Sequence, residues 1–194
     1  MVSPKKLKLP LSETDVLSLR ASDSVLLSGE IITGRDKVHK YLFHEKSPKL
    51  PFDLRGSVIY HTGPIITERD GKKVVIAAGP TTSARVEMYE PFVIEHYGLR
   101  GIIGKGGMGR ATKEALVKYK CVYFHAISGA AAYIADRILD VKGVFMLDEF
   151  GMAEAMWLLA VADFPAVVTM DAHGASLHED IEASSLSALK HLIK

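Results

Sequence analysis

One strand-to-helix turn constrains this sequence more than any other stretch. The segment Gly79-Pro80-Thr81-Thr82-Ser83-Ala84-Arg85 follows an apolar, β-branched run over residues 74–78, which predicts a buried strand. Apolar residues then recur at helical spacing, so we predict a helix over 86–97 with hydroxyl side chains at its N-cap. The free N–H groups of such a terminus favour an anion, and Arg85 could add a bidentate contact. The competing interpretation is an ordinary capped helix whose arginine faces solvent.

The chain shows two patterns, which meet near this turn. The first third is rich in strand and includes an Asp70-Gly71 hairpin turn. From residue 73 onward strands and helices alternate, which is typical of βαβ units with parallel strands. We therefore predict an α/β fold with a mixed or two-layered sheet. The predicted strands cover 24–33, 58–64, 65–69, 73–78, 99–103, 121–126, 144–147 and 166–170, and the predicted helices cover 37–45, 86–97, 111–120, 130–139, 152–159 and 177–194.

Composition limits the classes of protein to which the chain can belong. With 194 residues, 48% of them hydrophobic, the sequence predicts a single domain over 1–194, with 1–10 and 180–194 as peripheral segments. A formal net charge of +1 gives no support for a nucleic-acid or membrane-surface partner. No apolar run reaches the ~18 residues of a membrane span. The single cysteine, Cys121, excludes an internal disulfide. Because no signal peptide is recognisable, we expect a cytoplasmic protein.

Three basic residues lie at equivalent positions in the predicted fold. Arg35, Arg85 and Lys105 each follow a predicted strand, in a turn that leads into a helix. In a parallel α/β sheet such turns meet at the carboxyl edge, where ligands bind. The three cations predict a site for a small ligand with two anionic groups, each held by charge-assisted hydrogen bonds worth on the order of 1.5–3 kcal/mol. Taken singly, each of them is more simply interpreted as a solvated surface charge.

The turn around Lys105 also matches a nucleotide-binding pattern. Gly104, Gly106 and Gly109 have G-x-G-x-x-G spacing, after a predicted strand and before a predicted helix. The next strand ends at His125-Ala126-Ile127-Ser128, without the acidic residue that would bind a ribose hydroxyl. A nucleotide-binding oxidoreductase domain is therefore the weaker hypothesis.

The histidines show no metal-binding spacing. Neither H-x-H nor H-E-x-x-H occurs, so the sequence predicts no metal site formed by this chain alone. His39 falls in a predicted helix, while His61, His125 and His173 end predicted strands. The dipeptide Ser128-Gly129 does not form the nucleophile elbow of a serine hydrolase.

Several motifs, taken together and in order, resemble the iron–sulfur-dependent hydro-lyases. The resemblance is to the β subunit of L(+)-tartrate dehydratase and to the C-terminal domain of class I fumarases, and it runs from about residue 10 to about residue 180. The motifs are Ile32-Thr33-Gly34-Arg35-Asp36-Lys37-Val38-His39-Lys40, His61-Thr62-Gly63-Pro64, Gly79-Pro80-Thr81-Thr82-Ser83-Ala84-Arg85, Gly104-Lys105-Gly106-Gly107-Met108-Gly109, Gly151-Met152-Ala153-Glu154-Ala155-Met156-Trp157 and Asp163-Phe164-Pro165.

This resemblance implies a swivelling β/β/α domain within a heteromeric enzyme. It implies an α subunit whose three cysteines hold a [4Fe-4S] cluster, no metal on the present chain, and β–β contacts in a heterotetramer. In such enzymes a dicarboxylic hydroxy acid loses water reversibly, and the open iron acts as a Lewis acid. Our leading hypothesis is the β subunit of a fumarate hydratase that interconverts (S)-malate and fumarate. The alternatives are an L(+)-tartrate dehydratase β subunit, which yields oxaloacetate, and a non-catalytic binding or scaffold subunit.

The resemblance also implies roles for individual residues. Arg35, Arg85 and Lys105 correspond to the groups that bind the substrate carboxylates. Thr81, four residues before Arg85, corresponds to the base that removes the proton beside a carboxylate. An alcohol is a poor base, so it would need activation by a carboxylate of the α subunit and by helix-terminus amides. The choice of Thr81 over Thr82 depends only on the spacing.

Overall fold

Nine strands and seven α-helices form within residues 3–46 and 48–193, the part of the chain that our computed structural model describes. The predicted peripheral ends include Met1, Val2 and Lys194, which lie outside the described residues. The strands are β1 Lys5–Lys8, β2 Ser24–Thr33, β3 Val58–Tyr60, β4 Ile65–Arg69, β5 Lys72–Ala77, β6 Gly101–Gly104, β7 Val122–His125, β8 Ile138–Phe145 and β9 Met156–Met170. The helices are α1 Glu13–Ser18, α2 Asp36–Glu45, α3 Glu90–Tyr97, α4 Arg110–Tyr119, α5 Ala131–Ala135, α6 Leu147–Phe150 and α7 Leu177–Leu192.

Five strands close on themselves in a hydrogen-bonded ring. Strands β2, β3, β6 and β7 are parallel neighbours in that order, and β9 runs antiparallel to both β7 and β2. The 15 residues of β9 allow this double pairing, because most of the strand lies along β2 and its last residues lie along β7. Strands β1 and β8 flank the ring as neighbours of β2 and β9. The predicted α/β fold with a mixed sheet is confirmed, although β8 and β9 are antiparallel rather than parallel.

The hydrophobic core has two parts, one inside the ring and one outside it. Tyr60 and Phe164 lie on strands that do not pair, yet their ring centroids are 5.3 Å apart, so this cluster fills the interior. Other positions on the ring strands, such as Ile59 of β3 and Tyr123 of β7, belong to the second cluster, which packs beneath α2, α3 and α4. Because both faces of these strands are covered, they read as continuous apolar runs in the sequence.

The strand before the hydroxyl-rich turn lies outside the ring. Among the strands of the described residues, β5 pairs only with β4, around the predicted Asp70-Gly71 turn, in a separate two-stranded sheet. Ile76 on this strand is 42% exposed. The hairpin and the strand are therefore confirmed, but the strand is buried on one face only, where Val75 joins the core. An isolated hairpin can cover only one of its faces, and the other remains in solvent.

Three predictions in the last third need correction. The helix over 130–139 ends at Ala135, because residues from Ile138 onward pair with β9 as β8. The strand predicted over 144–147 is the end of β8 and the start of α6. The helix predicted over 152–159 is wrong, since β9 begins at Met156 and pairs with β2 on one side and β8 on the other. A short apolar run has no clear period, so tertiary pairing decides its structure.

The helix predicted over 86–97 consists of two pieces. A 3₁₀ turn, Ser83–Val86, precedes α3, which carries Pro91 in its first turn and ends at Gly98 in the left-handed conformation with φ 66°. Proline fits there because the first N–H groups of a helix have no partner within the helix. The predicted hydroxyl cap is wrong: the side chain of Thr82, at the N-cap of the 3₁₀ turn, makes no capping hydrogen bond.

Within the described residues, no helix combines the length and apolar character that crossing a bilayer requires.

Candidate functional site

The carboxyl ends of the parallel strands form one rim of the ring, and the predicted site residues lie in turns at this rim. Arg35 follows β2, His61 follows β3 and Lys105 follows β6. These strands are hydrogen-bonded neighbours, so their turns are neighbours as well. We call residues 79–85 the hydroxyl turn and residues 104–109 the glycine turn.

The hydroxyl turn lies across the ends of β3 and β6, although its own strand is outside the ring. The Thr81 N–H donates to the His61 carbonyl oxygen at 2.7 Å, and the Ser83 N–H donates to the Lys105 carbonyl oxygen at 3.1 Å. Thr82 and Lys105 also form a parallel bridge. The hydroxyl turn is thus held by main-chain bonds to two other rim turns.

The hydroxyl groups of this turn bind inward rather than capping a helix. Thr81 Oγ1 donates to the His61 carbonyl oxygen at 3.0 Å and keeps its lone pairs as acceptors. The Ser83 hydroxyl, fully buried, lies 2.9 Å from His61 Nδ1 and 2.8 Å from the Tyr123 hydroxyl. Gly104 is required here, because a Cβ at that position would lie 1.9 Å from Ser83 Oγ. Thr81 is half-buried and Thr82 is exposed.

Arg35 is a half-buried cation held against the ring. Its Nε lies 3.3 Å from Glu154 Oε1, and the other oxygen of Glu154 accepts the Lys37 N–H at 3.0 Å. Gly63 allows this placement, since a Cβ there would lie 2.8 Å from Arg35 Nη1 and 2.5 Å from the Ala153 carbonyl oxygen. The turn after β2, the turn after β3 and the segment before β9 therefore meet around this guanidinium.

Arg85 is more exposed and pairs with a carboxylate from the Arg35 turn. Its Nη2 lies 2.9 Å from Asp36 Oδ2, with side chains 55% and 38% exposed. Lys105 is half-buried and makes no ion pair with any residue in 3–46 or 48–193. The turns that carry Arg35, Thr81, Arg85 and Lys105 are thus adjacent at one rim.

The glycine turn differs, because its helix terminus is already occupied. Glu87 accepts the Gly109 N–H at 2.7 Å, the Thr112 N–H at 3.1 Å and the Thr112 hydroxyl at 2.8 Å. A nucleotide phosphate would need these same donors at the start of α4. The occupied terminus counts against the nucleotide-binding hypothesis.

A buried charge cluster below the hydroxyl turn was missed by sequence reasoning. Glu90 Oε2 lies 2.9 Å from His39 Nε2 and 3.2 Å from His61 Nε2, and the three side chains are at most 2% exposed. These groups come from α2, the turn after β3 and α3, so no sequence spacing reveals them. Glu90 gives one signal: an acidic residue at the start of a helix where the side chain points into the core.

The residue types of this cluster are those that can bind a metal, and their ligating atoms lie within 4.8 Å of one another. Both imidazoles, however, approach the same carboxylate oxygen at ion-pair distances, and each has a further contact through Nδ1. Within the described residues the two Nε2 atoms and the two Glu90 oxygens make no hydrogen bond, so the attraction between charges at ion-pair distance holds the cluster together. Sequence reasoning predicted no metal on this chain, and that stays a prediction.

The buried charges shift the protonation of all three groups. Burial disfavours the Glu90 carboxylate, but the two imidazoles outweigh it and lower the pKa of Glu90 to about 2. Burial also opposes protonation of His39, yet the adjacent Glu90 charge raises the pKa of His39. For His61 burial is the stronger effect and lowers its pKa. Beside the ionised Glu90, the cluster therefore favours a proton on His39 over a proton on His61.

The chain's own residues do not fit an iron–sulfur cluster. A [4Fe-4S] cluster is held by several cysteine thiolates, and the sequence has one cysteine. Cys121 is fully buried in the core beneath the helices, and burial raises the pKa of its thiol. A neutral, enclosed thiol is a poor metal ligand.

The chain matches the model described as Fumarase C-terminus over residues 3–181, and it belongs to this family.

Relatives of the chain carry the names of two hydro-lyases. A Geobacillus stearothermophilus protein, provisionally named fumarate hydratase class I, is 50% identical over 184 residues, which are 94% of this chain but 35% of that protein. A Methanocaldococcus jannaschii protein, provisionally named L(+)-tartrate dehydratase subunit beta, is 40% identical over 94% of this chain and 95% of its own length. The L(+)-tartrate dehydratase subunit beta of Escherichia coli K12 is 36% identical over 89% of this chain and 86% of its own. The chain thus spans about a third of the first relative and most of the other two.

Proposed function

We propose that this chain is the β subunit of a heteromeric hydro-lyase and supplies the carboxylate-binding half of its active site. The observation that carries the proposal is the adjacency of four turns at one rim, in which the hydroxyl turn bonds to the main chain of both His61 and Lys105. A small diacid bound there can meet several cations at once. The family membership supports the reaction class.

In this proposal each site residue has one task. Arg35, Arg85 and Lys105 bind and orient the two carboxylates of the substrate. The Thr81 hydroxyl gives its proton to a carboxylate that we assign to the α subunit, and Thr81 Oγ then takes the proton from the carbon beside one substrate carboxylate. The neighbouring carbon loses its hydroxyl group as a double bond forms between the two carbons. The hydrogen and the hydroxyl together leave as water. Asp36 and Glu154, which now pair with the arginines, keep the two guanidinium groups in place until the substrate arrives.

We propose an α subunit as the partner and assign the [4Fe-4S] cluster to it, because one buried cysteine cannot hold the cluster. Three large apolar side chains near the rim are exposed: Ile65 by 54%, Met88 by 72% and Ile127 by 53%. Exposed apolar side chains of this size support a partner subunit that covers this surface. The full assembly in this proposal is a cytoplasmic heterotetramer with β–β contacts. The present chain is a single swivelling β/β/α domain within it.

The proposed substrate pair is (S)-malate and fumarate, with L(+)-tartrate as the alternative. The 50% identity to a relative named as a fumarate hydratase favours the first. The near-complete coverage of two proteins named as tartrate dehydratase β subunits favours a separate β chain and keeps the second open. A non-catalytic scaffold subunit is the weaker hypothesis, because Lys105 and the hydroxyl turn share main-chain bonds rather than lying on opposite faces.

The test is anaerobic co-purification with the α subunit, reconstitution of the cluster, and assays with malate, fumarate and L(+)-tartrate. We expect the complex to act on malate and fumarate and the isolated chain to have no activity. Equal activity of the isolated chain would refute the two-subunit proposal. Activity on tartrate alone would assign L(+)-tartrate as the substrate in place of malate and fumarate. A complex that is inactive on all three would support the scaffold hypothesis.

A further inference from the structure

His39 links the buried Glu90 to the arginine of the first rim turn. The His39 Nδ1–H donates to the Arg35 carbonyl oxygen at 2.8 Å, and the same oxygen accepts the His39 main-chain N–H at 3.0 Å. Since a carbonyl oxygen can only accept, the hydrogen on Nδ1 is fixed, and Nε2 faces Glu90. The main chain at Arg35 is therefore tied to the carboxylate through one imidazole.

His61 links the same carboxylate to the hydroxyl turn. Its carbonyl oxygen accepts both the N–H of Thr81, at 2.7 Å, and the Thr81 hydroxyl, at 3.0 Å. Its Nδ1 lies 2.9 Å from Ser83 Oγ, and the Ser83 N–H donates to the Lys105 carbonyl oxygen at 3.1 Å. One buried carboxylate thus reaches, through two imidazoles, the turns that carry Arg35, Thr81 and Lys105.

The charges of the cluster favour this arrangement over a looser one. An isolated buried carboxylate is strongly unfavourable, and here two imidazoles are the groups that compensate it. Asp36 is the other charged group that acts on both imidazoles, and it favours their protonated forms. A change of charge at Glu90 would therefore alter the position of both imidazoles rather than of one.

We propose that Glu90 is a positioning residue of the hydro-lyase reaction, which orients the main chain of Arg35 and the Thr81 hydroxyl through His39 and His61. This inference rests on the proposed function, because it assumes that Thr81 and Arg35 act on the substrate. Glu90 itself lies in the core and touches no substrate.

The first test measures kcat and KM of the reconstituted complex with Glu90→Gln, which removes the charge and keeps the shape. We expect kcat to fall by roughly 10- to 100-fold, since a misplacement of about 1 Å can cost this much. Glu95→Gln, at an exposed position of the same helix, is the matched control and should retain wild-type kcat.

A double-mutant cycle separates positioning from general damage. If Glu90 acts through Thr81, adding Glu90→Gln to Thr81→Val should lower kcat by less than about twofold further. Multiplication of the two single losses would overturn the proposal. If the Glu90→Gln complex has the same kcat and KM as the wild type, the proposal is overturned as well.

A second measurement needs neither a variant nor activity, and it keeps the inference separate from the proposed function. In a ¹⁵N-histidine spectrum of the full chain titrated from pH 5 to 9, we expect one imidazole of the cluster to titrate above the ordinary pKa of 6.5 and the other to titrate below it. If all the histidines titrate near their ordinary pKa, the cluster is wrong even when the complex is active. Stoichiometric Zn²⁺ binding that shifts both Nε2 signals would assign the three side chains to a cation and also overturn the proposal.

Discussion

The hydroxyl turn and the glycine turn look alike in the sequence, yet the structure uses them differently. Both follow a strand, contain glycine and a basic residue, and lead into helical structure. In the glycine turn the helix terminus is filled by Glu87, which binds two N–H groups and one hydroxyl. In the hydroxyl turn the main chain bonds to neighbouring rim turns, and the Arg85 side chain remains 55% exposed.

This difference shows that a strand-to-helix turn is not a ligand site by virtue of its glycines. Main-chain donors are satisfied within the chain in both turns, so the difference lies in the side chains that each turn leaves exposed. The glycine turn has its own carboxylate and acts as a structural junction, except for Lys105 at its start. In the hydroxyl turn the N–H groups of Thr81 and Ser83 donate to other rim turns. These bonds fix the main chain, while the Arg85 side chain stays 55% exposed.

The largest expected effect tests the base in the hydroxyl turn. Thr81→Val keeps the shape and removes the oxygen that we propose as the proton acceptor, so we expect kcat of the reconstituted complex to fall by roughly 10²–10⁴-fold. KM should change little, because the lost interaction belongs to the transition state. Thr82→Val is the matched control and should keep its activity. The reverse result would transfer the role to Thr82.

The next prediction compares Arg85, in the hydroxyl turn, with Arg110, which follows the glycine turn. Arg85→Ala removes a charged contact worth about 1.5–3 kcal/mol, so kcat/KM should fall by roughly 10- to 100-fold. Arg110→Ala, at the start of α4 beyond the glycine turn, removes an 89% exposed side chain and should leave kcat/KM unchanged. Equal losses in both variants, measured with the same substrate, would remove the distinction between the turns.

A smaller effect is expected from Glu87, the carboxylate that binds the N–H groups at the start of α4. Glu87→Ala leaves the first N–H groups of α4 unpaired, which should cost about 0.5–2 kcal/mol of stability. For a chain of this size the loss corresponds to a decrease in Tm of roughly 2–6 °C. The activity per folded complex should stay within about twofold. A strong fall in kcat without a change in Tm would make the glycine turn part of the catalytic site.

The smallest effect concerns pH, because the hydroxyl turn rests on a buried charge cluster and the glycine turn does not. The lowered pKa of His61 means that the unfolded chain binds this proton more readily, so stability falls as the pH drops below about 6.5. The raised pKa of His39 has the opposite sign: its contribution is complete below about 6.5 and is lost as the pH rises through the raised value.

Unfolding midpoints between pH 5 and 9 should therefore pass through a maximum near neutral pH. In Glu90→Gln the decline on the alkaline side should disappear, because the carboxylate that holds the His39 proton is gone, while the decline on the acid side remains. A variant with the same alkaline decline as the wild type would show that His39 is not protonated in the folded chain.

Local signals in the sequence predicted much of the fold. The Asp70-Gly71 hairpin follows from residues whose backbone preferences are strong. The continuous apolar runs of the parallel strands were also recognisable. Helix 152–159 was mispredicted because an apolar run fits either structure until its partner strands are known.

The site was predictable only in part, for a physical reason. The positions of Arg35 and Lys105 at the rim follow from parallel strand order, which the alternation indicates. The hydroxyl turn reaches that rim from outside the ring, and its contacts with His61 and Lys105 are long-range. The Glu90 cluster joins three elements at once, so neither period nor spacing could reveal it. The roles of the four site residues stay predictions.

The closed ring has a consequence for how such a protein can change its substrate. Because β2, β3, β6, β7 and β9 are paired all round, no strand can shift sideways without breaking bonds on both sides. The closed ring of strands therefore fixes the distances between the rim turns. A relative that binds a longer or more hydroxylated diacid is therefore expected to differ in the side chains of the rim turns or in the residues of the partner subunit.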